Sequence, residues 1–316
     1  MKAALVTELG RPPRYTEIEP PAPTGPHQVL AELVAAGLHP RVRSQAAGTH
    51  YTSTADLPLV PGVDAVVRLP DGTLRYTIQS HATLGTMAEH VLVDLRRSVP
   101  LPADADPVQV AAAMNPAMSS WVALRRRAAL RPGANVLVLG ATGSAGRLAV
   151  PVARRLGAGR VTAVGRGAER LTGTGADVTV VLDRDPTTVA ADLAVAGRDV
   201  DVVLDYLWGE PARQVLIAVV PAREDDSRTL TWVQIGSVAG ADCAVPSAAL
   251  RATRLQLVGS GQGSVPTPEI AAELAELATV VGEPDLAARA RTVPLRDVEQ
   301  AWGATEGLTE RVVLVP

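Results

Sequence analysis

The sequence predicts an α/β protein with two domains, the first mostly β and the second a doubly wound parallel sheet. Three observations carry this prediction. With 316 residues, 47% of them hydrophobic, the chain can bury the cores of two domains. Residues 2–100 form short apolar segments separated by proline and glycine, which is typical of a partly closed β-barrel. After Pro132-Gly133 apolar strands alternate with helical segments, which is typical of a parallel sheet.

The most informative motif lies between Val136 and Val150. Four apolar residues end at Leu139 and are followed by a turn rich in small residues and then by a helical segment. The turn matches the register A-x-G-x-x-G, in which the glycines let the backbone approach a pyrophosphate and the amides of the new helix face it. A second strand over Val161–Val164 completes a βαβ unit of about 30 residues. The pattern predicts dinucleotide binding by Ala141, Thr142, Gly143, Ser144, Ala145 and Gly146.

The composition excludes several other classes of protein. A net charge of −3 gives no basic surface for nucleic acid, and no apolar run is long enough to cross a bilayer. The first residues turn polar too early for a signal peptide, so we expect a soluble cytoplasmic protein. Cys243 is the only cysteine, which excludes an intramolecular disulfide and a zinc site built from several thiolates.

In the first domain five short segments have strand character, and two helical segments follow. The predicted strands are Ala3–Thr7, Gln28–Ala36, Ala65–Arg68, Leu74–Ile78 and Ala88–Val93. The predicted helices are Val108–Met114 and Ala117–Ala129, and the domain boundary falls in this region.

The second domain has six predicted strands, the number in a complete doubly wound sheet. They are Val136–Leu139, Val161–Val164, Val178–Leu182, Val200–Leu204, Thr231–Gly236 and Leu255–Gly259. A helix over Thr267–Val281 follows, and two closing strands, Thr292–Val298 and Glu310–Pro316, are expected to return to the first domain. The expected domains are therefore 1–117 completed by 265–316, and 118–264.

Short segments along the whole chain resemble those of one family, the zinc-independent quinone oxidoreductase branch of the medium-chain dehydrogenases/reductases. They are Met1-Lys2-Ala3, Ala35-Ala36-Gly37-Leu38, Leu59 to Asp64, Met87-Ala88-Glu89-His90, Val99 to Pro102, Gly140 to Gly146, Val200 to Asp205 and Arg311 to Leu314. The resemblance implies a GroES-like catalytic domain, a Rossmann domain, and a homodimer that pairs through the sixth strand of the Rossmann domain. It also implies hydride transfer from NADPH to a quinone or an α,β-unsaturated carbonyl compound.

The chain departs from the zinc-dependent members of that family at the ligand positions. His39 stands where those members have a cysteine ligand, and Val63 and Asp64 stand where they have a His-Glu pair. Valine cannot bind a metal, and His39 with Asp64 cannot supply three protein ligands. The resemblance therefore implies an enzyme without zinc.

Cofactor choice is indicated by the end of the second strand, where NAD-specific sheets carry an acidic residue. In this chain Gly165 stands in place of the acidic residue, and Arg166 supplies a guanidinium that matches a 2′-phosphate. Arg170, one turn later, is a weaker candidate for the same contact. This predicts NADPH. The alternative is an ordinary surface arginine after a strand.

Six further residues are candidates for contact with the cofactor. Asn115 and Ser119 lie on the helical segments before the motif, and the resemblance places Ser119 near the nicotinamide amide; the alternative for Ser119 is a helix cap. Gly236, Ser237, Gly259 and Ser260 end the fifth and sixth strands, at the edge where ligands of such sheets bind. Their glycines would serve equally well as turn residues.

His39 and Tyr51, with Asn115, are the candidates for the acceptor pocket. Either side chain could donate a hydrogen bond or a proton to a quinone or enone oxygen, with water as a third source, whereas a structural loop residue is the alternative for each. Two other functions stay open: a non-catalytic NADPH-binding redox sensor, and a biosynthetic tailoring reductase with a narrow substrate.

Overall fold

The structure is a computed structural model that describes residues 1–79, 81–303 and 310–316. The chain divides into two compact units. The first unit comprises Met1–Asn115 and Thr267–Pro316, and the second comprises Pro116–Pro266. None of the helices in the described part of the chain has the length and apolarity of a membrane-spanning segment.

The described residues of the first unit form two sheets. Its strands are β1 (Lys2–Leu5), β2 (Arg14–Glu17), β3 (Gln28–Leu38), β4 (Asp64–Arg68), β5 (Leu74–Ile78), β6 (His90–Asp94), β7 (Ser98–Pro100), β14 (Ala290–Pro294) and β15 (Arg311–Val315). Strands β1 and β2 form an antiparallel pair, and the larger sheet has the order β14-β15-β3-β4-β5-β7 with β6 paired to β3. The C-terminal strand β15 lies beside β3, the strand pairing that a return of the chain to the first domain requires.

Four α-helices lie wholly or partly in the described residues of the first unit. They are α1 (Pro40–Ala46), α2 (Pro107–Val122), α8 (Thr267–Ala278) and α9 (Val298–Gly303). The prediction of one strand over Thr292–Val298 was wrong beyond Pro294, where a 3₁₀ turn and α9 follow. The reason is periodicity, because Leu295, Val298 and Ala301 are all buried and their spacing of three residues places them on one helical face.

The prediction of two helices before the motif was also wrong. A single helix, α2, runs through Pro116 and continues as a π-helical turn over Ala123–Arg127. Pro116 lacks a backbone N–H, so the carbonyl of Ala112 loses its helical donor. The guanidinium Nε of Arg311 lies 3.4 Å from that oxygen and partly replaces the missing bond.

The second unit is a six-stranded parallel sheet with helices between its strands. The strands are β8 (Asn135–Leu139), β9 (Arg160–Gly165), β10 (Val178–Val181), β11 (Val202–Asp205), β12 (Leu230–Gln234) and β13 (Leu255–Gly259). The connecting helices are α3 (Ser144–Arg155), α4 (Ala168–Thr172), α5 (Pro186–Gly197), α6 (Gly209–Val219) and α7 (Ala249–Ala252). The order β10-β9-β8-β11-β12-β13 confirms the predicted doubly wound sheet.

The strand order reverses between β8 and β11. The chain moves from β8 outward to β9 and β10, and then crosses to β11 on the other side of β8. In open α/β sheets ligands bind at the carboxyl ends of the strands beside such a switch point. The turn after β8 and the loop after β11 therefore form the part of the second unit in which a ligand site is expected.

Helix α3 packs against the end of β8 through one glycine. A β-carbon on Gly146 would lie 2.2 Å from the carbonyl oxygen of Gly140, whereas one on Gly143 would lie 3.5 Å from the same atom. The first distance is impossible for real atoms and the second is an ordinary contact. Gly146 is thus required by packing, and Gly143 is not.

We expect Gly146→Ala to lower the free energy of unfolding by about 1–3 kcal/mol, because the new methyl group pushes α3 away from β8. Urea unfolding followed by circular dichroism measures the change. Gly143→Ala is the matched control and should leave the urea midpoint nearly unchanged, since the φ of Gly143, −80°, suits alanine. Equal midpoints for the two variants would contradict this explanation.

Candidate functional site

The turn from β8 into α3 has the geometry of an anion site. Gly140 has a φ of +93°, which favours glycine, and the N–H of Gly143 donates to its carbonyl oxygen at 3.1 Å. Gly143 is the N-cap of α3, and no side chain caps the helix. Gly143 and Ser144 are exposed, Thr142 and Ala145 are half-buried, and Ala141 is buried.

The first turn of α3 leaves backbone donors for a ligand. The first N–H groups of a helix have no intrahelical partner, and the helix dipole makes this end positive. No acidic side chain lies in the first turn, so nothing there neutralises the positive end. The residues predicted from the motif are therefore brought together at an exposed helix N-terminus that can bind a phosphate group.

The end of β9 brings Gly165, Arg166 and Arg170 to the same turn. A β-carbon on Gly165 would lie 3.0 Å from Cγ2 of Thr142, so the bare glycine lets the two segments meet. Arg166 is exposed. Arg170 donates from Nη2 to the carbonyl oxygen of Thr142 at 3.0 Å, which ties α4 to the turn.

Asp183, which follows β10, was missed by the sequence analysis. Its Oδ1 accepts the N–H of Gly167 at 2.9 Å. That hydrogen bond, with a smaller contribution from the charge of Arg166, lowers the pKa of Asp183. Asp183 thus holds the loop that carries Arg166. Its position directly after the third strand of the sheet was the available signal.

The loop after β11 was also missed, and it is anchored by a buried carboxylate. Asp205 accepts the N–H groups of Leu207 at 2.8 Å and Trp208 at 2.9 Å, and the indole N–H of Trp232 at 3.0 Å. Burial raises the pKa of Asp205, and these donors oppose the rise. Trp208 has a φ of +55°, a strained value for a bulky residue.

Ser119 lies on α2 and contacts the loop after β11. Its hydroxyl donates to the carbonyl oxygen of Pro116 at 2.7 Å and lies 3.0 Å from the hydroxyl of Tyr206. Burial raises the pKa of Tyr206 to about 12, and the hydroxyls of Ser119 and Ser120 oppose the rise. The helix-cap alternative does not describe Ser119, which sits in the interior of α2. Asn115, on the same helix, is half-buried in the first unit.

The residues predicted at the ends of β12 and β13 occupy different environments. A β-carbon on Gly236 would lie 2.6 Å from the carbonyl oxygen of Tyr206, so packing alone accounts for this glycine. A β-carbon on Gly259 would have no atom within 4 Å. The carbonyl oxygen of Gly259 accepts a hydrogen bond from Nε of Arg127 at 2.7 Å. Ser237 is exposed and Ser260 is half-buried.

In the first unit His39 belongs to a buried hydrogen-bonded group. Its Nε2 lies 2.8 Å from Oδ1 of Asp64, and Oδ2 of Asp64 accepts the hydroxyl of Tyr76 at 2.6 Å. His39 is 3% exposed and Asp64 1%. Because a carboxylate only accepts, Nε2 of His39 carries the hydrogen.

The charges in this group are balanced within the protein. Burial alone would raise the pKa of Asp64, but His39, Tyr76 and the nearby Arg311 outweigh it, so the pKa lies below its usual value. Burial lowers the pKa of His39, which favours the neutral ring at neutral pH. The ionised carboxylate is thus compensated by Arg311 and two hydrogen-bond donors.

Tyr51 lies in a different environment from His39. Its side chain is 70% exposed, and its ring centroid is 4.4 Å from that of His50. Burial, followed by the charge of Arg41, lowers the pKa of His50. Of the two residues predicted for the acceptor pocket, Tyr51 is therefore accessible to a solute and His39 is enclosed.

Within the described residues no group of three or more His, Cys, Asp or Glu side chains is placed to hold a metal ion. A dinucleotide phosphate, by contrast, fits the residues present. The first turn of α3 offers free amides, Gly143 leaves room beside them, and Arg166 adds an exposed positive charge at the end of the neighbouring strand.

Comparison with known proteins gives a consistent relationship. A scan of protein-family models finds no match. The chain is 32% identical to a probable NADPH-dependent quinone reductase of Emericella nidulans over the whole length of both proteins. It is also 32% identical to the quinone oxidoreductase of Rattus norvegicus over half of each chain.

Solved structures show the same fold. A quinone oxidoreductase from Thermus thermophilus, also solved as a complex with NADPH, superposes over all of both chains with a TM-score of 0.79 and 24% identity. A mycobacterial quinone oxidoreductase superposes with a TM-score of 0.83 and 22% identity, again over all of both chains. The predicted fold class is thereby confirmed. Since the fungal relative matches the entire chain at 32% identity, the protein belongs to the quinone oxidoreductase branch of the medium-chain dehydrogenase/reductase family.

Proposed function

We propose that the protein is an NADPH-dependent oxidoreductase that reduces a quinone or an α,β-unsaturated carbonyl compound without zinc. The observation that carries the proposal is the exposed Arg166 beside the uncapped N-terminus of α3. The name of the fungal relative, an NADPH-dependent quinone reductase, supports the choice of cofactor and acceptor. We also propose a cytoplasmic location, as the composition indicates.

The residues of the second unit divide the binding of the cofactor between them. The amides of Ser144, Ala145 and Gly146 would face the pyrophosphate, since they begin α3. Arg166 would bind the 2′-phosphate through a charge-assisted hydrogen bond, and Arg170 would hold the adjacent turn in place. Ser119 would contact the nicotinamide half. When bound, NADPH supplies the hydride that the protein itself cannot provide.

The first unit would supply the hydrogen-bond donor to the acceptor oxygen. A quinone or enone gains negative charge on oxygen as it is reduced, and a nearby hydroxyl can stabilise that charge and then give its proton. Tyr51 is better suited than His39, because Tyr51 is exposed whereas His39 is enclosed and its Nε2 hydrogen is committed to Asp64. Water would then restore the proton of Tyr51.

The function is tested by the oxidation of NADPH, followed at 340 nm, with a panel of quinones and enals. Turnover with at least one acceptor class is expected. NADPH binding without turnover across the panel would favour a redox sensor, and turnover restricted to one complex substrate would favour a biosynthetic tailoring reductase.

For cofactor choice, we expect Arg166→Ala to raise the KM for NADPH about ten- to a hundredfold while NADH use stays nearly constant. The lost charge-assisted contact is worth roughly 1.5–3 kcal/mol. Initial rates with each cofactor measure the effect, and Arg213→Ala is a matched control because Arg213 pairs with Glu210 on α6. A wild type that prefers NADH, or equal weakening of both cofactors, would contradict the assignment.

A second prediction on cofactor choice concerns an acidic residue introduced to favour NADH. At Gly165 a side chain would meet Thr142 at 3.0–3.1 Å, so Gly165→Asp combines charge repulsion with a steric cost. Arg166→Asp avoids that contact. We expect it to invert the preference toward NADH, since the carboxylate repels a 2′-phosphate and can accept from a free 2′-hydroxyl.

The catalytic reaction is expected to need no metal ion, because His39 and Asp64 are bonded to each other and Val63 offers no ligand atom. Treatment with a chelator should leave NADPH oxidation unchanged. Elemental analysis should find no stoichiometric zinc. One zinc per chain, lost together with activity, would refute this expectation.

We further propose a homodimer that pairs through β13. This strand is hydrogen-bonded to β12, and no other described strand covers its outer edge; Leu257 on it is partly exposed. An uncovered apolar edge strand favours pairing with another copy. Light scattering at micromolar concentration should give a dimer, and Leu257→Glu should shift it toward monomer. A monomeric wild type would exclude the proposal.

A further inference from the structure

Three hydroxyl groups lie together between α2 and the loop after β11. Tyr206 is buried, Ser120 is fully buried and Ser119 is half-buried. The hydroxyl of Ser119 is 3.0 Å from that of Tyr206. A hydroxyl group can donate or accept a hydrogen bond, so the direction of the hydrogen bonds within this cluster decides what the cluster can bind.

The hydrogens of both serines are already committed. Ser119 lies 2.7 Å from the carbonyl oxygen of Pro116, and Ser120 lies 3.0 Å from that of Ala117. A carbonyl oxygen can only accept, so each serine donates to its own helix. We therefore assign Tyr206 as the donor in its bond to Ser119. The oxygen of Ser119 then keeps one acceptor position for a further donor.

The position of Tyr206 is fixed from three sides. Its N–H donates to the carbonyl oxygen of Leu139 at 3.0 Å, and its β-carbon would lie 3.2 Å from one on Gly140. Gly236, without a side chain, lets the carbonyl of Tyr206 approach closely. The strained φ of Trp208 persists because Asp205 binds the N–H groups of that loop, as expected where the surroundings over-determine the backbone.

We propose that Tyr206 is a positioning residue that orients the hydroxyl of Ser119 as an acceptor for the carboxamide amine of the nicotinamide ring. The inference rests on the proposed function, since it requires NADPH as the ligand. The amine of a carboxamide is a donor with two hydrogens, and it matches the acceptor position that Ser119 keeps. Tyr206 itself makes no contact with the ligand.

The test compares NADPH with its 3-acetylpyridine analogue, in which a methyl group replaces the amine of the carboxamide. Dissociation constants are measured by calorimetry without any acceptor. Wild type should bind NADPH more tightly than the analogue. Tyr206→Phe and Ser119→Ala should each reduce that ratio by about three- to tenfold, the range of one neutral hydrogen bond.

The double variant separates positioning from a general structural effect. If Tyr206 acts only through Ser119, adding Tyr206→Phe to Ser119→Ala should change the ratio no further. Tyr15→Phe is the matched control, because the hydroxyl of Tyr15 bonds Glu89 in the first unit, and it should leave the ratio unchanged. Additive losses, or an unchanged ratio in Tyr206→Phe, would overturn the inference.

Binding of 2′,5′-ADP, which has the 2′-phosphate but no nicotinamide, distinguishes this inference from the proposed function. Tyr206→Phe and Ser119→Ala should bind it as wild type does, whereas Arg166→Ala should bind it more weakly. A wild type that binds neither 2′,5′-ADP nor NADPH would refute the proposed function and the inference together. Normal binding of both, with an unchanged ratio in the variants, would refute the inference alone.

Discussion

The carbonyl oxygen of Gly140 fixes the geometry of the second unit at the turn after β8. It accepts the N–H of Gly143, and it lies so close to Gly146 that no side chain fits there. Tyr206 packs against Gly140 as well. The same contact that brings α3 onto the sheet therefore leaves the first amides of the helix at the surface, because the helix can begin only after the chain has turned past Gly140. The packing of α3 and the exposure of its first amides depend on one constraint.

The features that could be predicted from the sequence are those set by local chemistry. A buried parallel strand must be continuously apolar, so Val136–Leu139 and its five successors could be identified one at a time. Gly146 could be identified because close helix–strand packing excludes a side chain. Arg166 could be singled out as a candidate because the end of the second strand has a fixed relation to the turn. In each case the pattern involves residues that are close together in the sequence.

The features that the sequence did not predict depend on residues far apart in the chain. Ser119 and Tyr206 are 87 positions apart, and no periodicity connects them. Pro116 breaks a helix by local rules, yet α2 continues through it, since Ala113 and Ala117 beside it are fully buried and tertiary packing outweighs one lost hydrogen bond. Residues 295–298 look like strand by composition, but the buried residues Leu295, Val298 and Ala301 repeat every three positions.

The pair formed by His39 and Asp64 shows how burial decides the chemistry of a residue type. A carboxylate this deeply buried must be compensated, and Arg311 and Tyr76 provide this together with His39. Arg311 lies on the last strand, so no sequence pattern near His39 predicts that its charge is close to Asp64. With Asp64 ionised, the Nε2 hydrogen of His39 is held inside the protein. His39 and Asp64 thus satisfy each other, which is why we propose the exposed Tyr51 for donation to an acceptor oxygen.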